Sequence, residues 1–282
     1  RSKECNFAIS ARGIGRFRVS AYYQRNLAGM VLRRIETNIP KVDDLKLPEI
    51  IKDLAMTKRG IIMFVGATGT GKSTSLAAMI GHRNANSRGH IITIEDPIEF
   101  LHSHQGCIVS QREVGLDTES FEIALKNTLR QAPDVILIGE IRTREVMDFA
   151  IAFAETGHLV LATLHANNSY HALGRILSFY TPEARPALLS DLAAGLKGIV
   201  SQRLLRSTTG GRVPAVEVML NTQLISELIS RGDFTGVKEA MEKSMAEGSQ
   251  TFEQDIARLI IEGVVDKKEG ISYADSPTNL QW

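Results

Sequence analysis

The sequence predicts an α/β protein: a mostly parallel sheet buried on both faces, with antiparallel strands before it and helices after it. Three observations carry this. Short apolar runs (IIMFV, HIITI, DVILI, LVLATL) alternate with helical stretches through the middle of the chain. Those runs are nearly continuous in Ile, Val and Leu, as strands covered on both faces are. A glycine-rich turn, GATGTGKST, joins one such run to helical sequence.

In chain order, CNFAIS and GRFRVS alternate apolar and polar residues, the period-two pattern of antiparallel strands. Residues 24–36 (QRNLAGMVLRRIE) admit helix or strand, and MVLRRI is assigned to strand. TNIPKVDDLKLPE holds two prolines and a charge cluster and reads as a linker. The apolar runs and their helices follow. LLRSTTGGRVPAVEVML reads as a β-hairpin turning at Gly210 and Gly211. The tail from about residue 222 is helical, with TFEQDIARLIIEGVV placing apolar residues at helical spacing. The expected divisions are residues 1–36, a linker at 37–48, a core at 49–225 and a C-terminal helical region at 226–282.

Bulk properties exclude several classes. The net charge of +1 gives no global electrostatic case for nucleic acid or anionic membrane. No apolar run approaches the about 20 residues that span a bilayer. Two cysteines, Cys5 and Cys107, supply no framework and no metal spacing, and reduced thiols in a cytosol are the simple reading. The polar, strand-like opening RSKECNFAIS has no signal-peptide pattern and suggests a chain that begins inside a domain.

GATGTGKST fits G-x-x-x-x-G-K-[ST] from Gly66 to Ser73. It follows an apolar strand and precedes a helix, the setting that confirms a phosphate-binding loop. Gly66, Gly69 and Gly71 let the backbone curl so that N–H groups from Ala67, Thr68, Thr70 and their neighbours face one anion. The helix N-terminus, through Ser73 and Thr74, adds its positive end. Lys72 reaches the β- and γ-phosphates, and the Ser73 hydroxyl ligates Mg²⁺.

DVILIGE ends a buried strand with Glu140, where Mg²⁺ and an attacking water sit in such sites. Asp134, at the other end of that strand, reads as a cap or turn residue. IITIEDPIEF places Glu95, Asp96 and Glu99 just after another strand, and three adjacent carboxylates repel unless a cation or donors sit among them. TGHLVLATLH flanks a strand with His158 and His165; His165 falls at the C-terminal tip, the ligand side of such a sheet. GRFRVSAYYQR puts Arg16, Arg18 and Ser20 on one face of a strand. That row of guanidinium groups needs an anionic partner or open water.

Together these segments resemble the secretion ATPase superfamily that powers type II secretion and type IV pili. Its four motifs occur in order: Walker A (66–73), an acidic box (95–99), a Walker B strand in LRQAPDVILIGEIR (129–142) and a histidine box in TGHLVLATLHAN (156–167). ITIEDPIEF, GCIVSQREVG and LKNTLRQAPDVILIGEIR resemble the pilus-retraction branch, the PilT/PilU family, with RQAPD and GMVLRRIETNIP nearer the PilU wording. The resemblance runs from about residue 4 to the last helices. It implies a RecA-like P-loop NTPase core, preceded by the end of a PAS-like domain. ATP and Mg²⁺ would bind at residues 66–74, with Ser73 and Glu140 toward the metal. Glu140 matches the catalytic Walker B carboxylate; Glu95, Asp96 and Glu99 match the acidic box; His158 and His165 match the histidine box. Arg16 and Arg18 match arginines that approach nucleotide from the N-terminal domain, and Arg33 matches less well. The implied assembly is a cytoplasmic homohexamer at the inner-membrane pilus base, working with a PilT-like partner motor and a platform protein.

Two departures stand out. Thr143 replaces an aspartate common after GE-x-R, and LISELI (224–229) replaces the AIRNLI-type segment tied to retraction, without its arginine. Rival readings are a helicase-type motor, a nucleotide-binding ring subunit that scaffolds a partner, and an extension or secretion ATPase. Low charge, 6% aromatics and a lone Trp282 weigh against a single-strand channel. Intact Lys72, Ser73 and Glu140 favour turnover over scaffolding. The extension and secretion branches commonly carry a Cys-x-x-Cys motif that this sequence lacks.

Overall fold

The structure, a computed structural model, describes residues 3–280. Trp282 lies outside the described residues. The chain opens with a three-stranded antiparallel sheet, β1 (Glu4–Ala11), β2 (Gly15–Gln24) and β3 (Leu27–Ile35). The assignment of MVLRRI to strand is met by β3. Its register places Arg33 directly opposite Arg18 on β2.

Segment 36–49 joins this sheet to the second layer. It is more firmly seated than a solvated linker, because Val42 and Leu47 are buried against the core. Then come α1 (Ile50–Ala55), β4 (Gly60–Val65), α2 (Lys72–Asn86), β5 (Gly89–Glu95), β6 (Cys107–Glu113), α3 (Phe121–Thr128), β7 (Val135–Ile138), α4 (Arg144–Glu155), β8 (Leu159–Leu164), α5 (Ser169–Leu177), α6 (Arg185–Gly195), β9 (Leu196–Arg206) and β10 (Arg212–Leu220). The chain closes with α7 (Gln223–Ser230), α8 (Phe234–Glu242), α9 (Phe252–Ile261) and α10 (Lys267–Tyr273).

The second sheet runs β10-β9-β4-β8-β7-β5-β6, and all its pairs are parallel except the β9–β10 hairpin. That hairpin turns at Gly210 and Gly211, both at positive φ, as its sequence predicts. β4 lies near the middle and is wholly buried. Its side chains divide with period two. Ile61, Met63 and Val65 pack with β5, β7 and the helices α3 to α8 on one face. Ile62 and Phe64 pack with α1, α2 and segment 36–49 on the other. A third apolar cluster seats α9 on the β9–β10 hairpin through Phe252, Ile256 and Leu259. Ligands of such sheets bind beyond the carboxyl ends of the strands. Here those ends carry the loops after β4, β5, β7 and β8.

Backbone hydrogen bonds strap the two layers together. The Glu36 N–H donates to the Glu99 carbonyl (3.1 Å), and the Leu101 N–H donates to the Glu36 carbonyl (2.9 Å). Glu36, the residue after β3, is therefore bonded to the loop that follows β5.

Candidate active site

Between β4 and α2 the chain makes a tight loop. Gly66, Gly69 and Gly71 all have positive φ, which L side chains rarely adopt. Space enforces two of them. A Cβ on Gly66 would lie 2.8 Å from the Gln202 carbonyl oxygen, and one on Gly71 would lie 2.7 Å from Gln202 Nε2. Gly71 is also the N-cap of α2, so no side chain closes the first turn. By contrast α3, α4 and α5 are capped by Ser120, Thr143 and Asn168. The free N–H groups of α2 thus point toward the loop, ready for an anion. Thr143 serves as an N-cap as an aspartate would, so that departure keeps its structural role.

Lys72 is buried, and its Nζ donates to the Gly66 and Ala67 carbonyls, each at 2.7 Å. Burial pushes its pKa down, while Glu140 and Glu99 pull it back up. A cationic group held by two loop carbonyls and facing carboxylates can exchange those partners for an anion's oxygens. The cavity beside it measures about 670 Å³ and is lined by Thr68, Ser73, Thr74, Glu99, Glu140 and His165, among others. That is within the roughly 300–1,000 Å³ typical of small-molecule sites.

Glu140 follows β7 and is mostly covered, with 17% of its side chain exposed. His165 Nε2 lies 3.2 Å from Glu140 Oε1, and Arg142 Nη2 lies 2.5 Å from Oε2. The other His165 nitrogen, Nδ1, faces the Gly66 carbonyl at 3.3 Å. His165 therefore bridges the start of the phosphate loop and the carboxylate. Thr163 Oγ1 donates to the Gly139 carbonyl and fixes the strand ends beside it.

Glu95, Asp96 and Glu99 line the same cavity. Glu95 is partly accessible by surface, yet protein atoms crowd it closely. Burial raises its pKa from 4.5 to about 7, against hydrogen bonds from Thr93 and Gln111 that lower it. Gln111 on β6 staples the acidic loop. Its Nε2 donates to Glu95 Oε2 (3.2 Å) and the Phe100 carbonyl (2.8 Å), and its Oε1 accepts from the His102 N–H (2.8 Å).

The remaining sequence candidates lie elsewhere. His158 sits at the opposite end of β8, within 3.1 Å of Thr156 Oγ1 and the Phe153 carbonyl, and does not line the cavity. Asp134 Oδ2 accepts from the His90 N–H at 2.8 Å, a structural tie at the far end of the sheet. Arg16, Arg18 and Arg33 do not line the cavity in the single chain. Arg18 Nε approaches the buried Glu113 at 3.6 Å, and Glu113 is the register partner of Glu95. Arg16 Nε has no hydrogen-bond partner among the described residues. The row is thus one carboxylate removed from the acidic box.

The donor set suits Mg²⁺. Ser73, Glu140 and the acidic loop offer hard oxygen ligands. Among the described residues no group of three acidic, His or Cys side chains could hold a metal unaided.

The chain matches the type II/IV secretion system protein family over residues 5–271. The chain belongs to this family. It is 63% identical to the type IV pilus ATPase PilU of Pseudomonas aeruginosa over 99% of this chain and 73% of that protein. It is 37% identical to the PilT retraction ATPase of the same organism, over 98% of this chain and 80% of that protein. A crystal structure of the pilus retraction motor PilT with bound ADP superposes with a TM-score of 0.93, at 38% identity, covering 99% of this chain and 80% of that one. Lys72, Ser73, Glu95, Asp96, Glu99, Glu140 and His165, all singled out in the sequence, line one cavity. Gln202, Gln111 and the pairing of Arg142 with Glu140 escaped sequence reasoning. Arg142 alone had a signal, two residues past Glu140. The two glutamines come from distant strands with no spacing to either box.

Proposed function

We propose that this chain is an ATP-hydrolysing motor of type IV pilus retraction, of the PilU kind. The observation that carries the reading is one cavity in which the phosphate loop, with its open α2 N-terminus and Lys72, faces the Glu140–His165 pair. The similarity to PilU and PilT supplies the biological setting.

In this reading the N–H groups of residues 66–74 and Lys72 hold the triphosphate. Ser73 and Glu140 would hold Mg²⁺, which would supply neutralisation of the phosphate charge when bound. Glu140 Oε1 orients the attacking water and accepts its proton, with His165 fixing the carboxylate. Glu95 and Glu99 order the waters around the ion. Arg16 and Arg18 close on the phosphates as the N-terminal sheet moves, exchanging Glu113 for a phosphate partner. The strap between Glu36 and the Glu99–Leu101 segment couples that movement to the acidic loop.

The assembly is a homohexamer in the cytoplasm at the pilus base, acting with a PilT-like motor on an inner-membrane platform protein. No helix among the described residues is long and apolar enough to cross a membrane. The test is phosphate release by purified protein with Mg-ATP, with and without a PilT-type partner and with single-stranded DNA. Turnover abolished by Lys72→Ala and indifferent to DNA supports the reading. No phosphate release under any condition favours the scaffold, and DNA stimulation favours a helicase.

A further inference from the structure

His165 reaches Glu140 from the end of β8, and α5 begins only at Ser169. The intervening residues 166–168 have no regular structure. Their position is set by two residues distant in sequence. Arg203 on β9 donates from Nη2 to the Asn167 carbonyl at 3.1 Å, and from the same nitrogen to Asp275 Oδ1 at 2.6 Å. The other oxygen of Asp275 accepts from Asn168 Nδ2 at 2.9 Å. Asn168 is fully buried, and its Oδ1 is committed to capping α5 through the His171 N–H. Its amide nitrogen carries two hydrogens, of which one goes to Asp275. The side chain also hydrogen-bonds Tyr170.

Arg203 is itself held. Its guanidinium stacks on Phe252 of α9, 3.8 Å from the ring centroid, and Nη1 donates to the Tyr273 carbonyl at the end of α10. Only 15% of the Arg203 side chain and 25% of that of Asp275 are exposed. A charge-assisted pair this well covered is stiffer than a surface ion pair. Its neighbour on the strand, Gln202, points the other way. It donates to the Thr70 carbonyl (2.8 Å) and accepts from Ser75 Oγ (2.7 Å). Two consecutive residues of β9 thus grip the phosphate loop on one side and the histidine loop on the other.

We propose that Arg203 and Asp275 are positioning residues that hold His165 against Glu140, so that the segment following α10 sets the turnover rate of the site. This rests on the catalytic reading of Glu140 and His165 given above. Neither residue touches the cavity, so the effect passes through the loop at 166–168.

The test is a double-mutant cycle on the full chain, measuring kcat and KM for ATP in wild type, Asp275→Ala, His165→Ala and the combination. Asp275→Ala is expected to lower kcat about tenfold, with KM changed by less than about twofold, as a misplaced catalytic group does. In the His165→Ala background the same substitution is expected to cost less than about twofold, since the group it positions is gone. Equal losses in both backgrounds, a change confined to KM, or an unchanged kcat would overturn the proposal. If Asp275→Ala melts far below wild type, Asp275→Asn replaces it. Asparagine can accept from Arg203 or from Asn168 but not from both in the same way, so an intermediate loss at native Tm is expected. Wild-type kcat in Asp275→Asn under those conditions overturns the proposal. Glu140→Gln separates the two layers of argument. If it turns over normally, the catalytic reading fails and the proposal with it. If it is inactive while the cycle is additive, only the positioning role fails.

Discussion

Replacing Glu95 by glutamine should stabilise the protein, and by an amount that depends on pH. The side chain is crowded by protein, with the Glu99 and Glu113 charges nearby, and its pKa rises from 4.5 to about 7. The folded state therefore holds a proton on Glu95 more tightly than the unfolded state does. Stability is highest below the unfolded pKa, declines as pH rises from about 4.5 to about 7, and is flat above. At about 1.4 kcal/mol per pH unit the full penalty at pH 8 is about 3 kcal/mol, falling below about 1 kcal/mol at pH 5. Glutamine is nearly isosteric and its oxygen can still accept from Thr93 Oγ1 and Gln111 Nε2. Thermal melts of wild type and Glu95→Gln, without nucleotide or Mg²⁺, provide the assay. For a chain this size about 3 kcal/mol corresponds to a Tm gain of roughly 5 °C at pH 8, largely lost at pH 5. A gap that is the same at both pH values, or larger at pH 5, would refute the burial argument.

Four further outcomes follow from the same structure. Lys72→Ala should reduce phosphate release at least about hundredfold, by removing the cation that faces the phosphates. Gln202→Leu should raise the Kd for Mg-ADP about tenfold in titration calorimetry, because the Thr70 carbonyl loses its tie and the loop its shape. Phe64→Ala should cost about 3–5 kcal/mol in urea unfolding, since the ring is fully buried between the sheet and α2. Arg18→Met should destabilise by about 1–3 kcal/mol by leaving the buried Glu113 without its cation, and Glu113→Gln should recover most of that loss.

The parts of the fold legible in the sequence are those where local chemistry and burial agree. β4, β5, β7 and β8 each carry a buried, mostly apolar run because helices cover both faces of their sheet. The glycines of the phosphate loop are fixed by φ and by the nearness of Gln202, so they form a motif. β6 is different. Its sequence CIVSQRE is half polar because it is the edge strand and carries Gln111 and Glu113 to the acidic loop. α1 has only six residues, too few to show a period. Segment 37–48 reads as a linker from its prolines, and nothing local announces that Val42 and Leu47 anchor it. The site divides the same way. Glu140 and His165 were readable from strand ends, because a strand tip fixes where its next residues go. Their contact, and the ties from Arg203, Asp275 and Gln202, depend on which strands become neighbours. The arginine row was legible as a row, but its partner in the single chain, Glu113, was not.

The most direct test of the central claim is single-turnover chemistry with Mg-[γ-³²P]ATP on wild type and Glu140→Gln. The account predicts that both bind the nucleotide, that wild type releases phosphate, and that the variant retains intact ATP. Phosphate release by Glu140→Gln at the wild-type rate, or failure of the wild type to bind nucleotide at all, would contradict it.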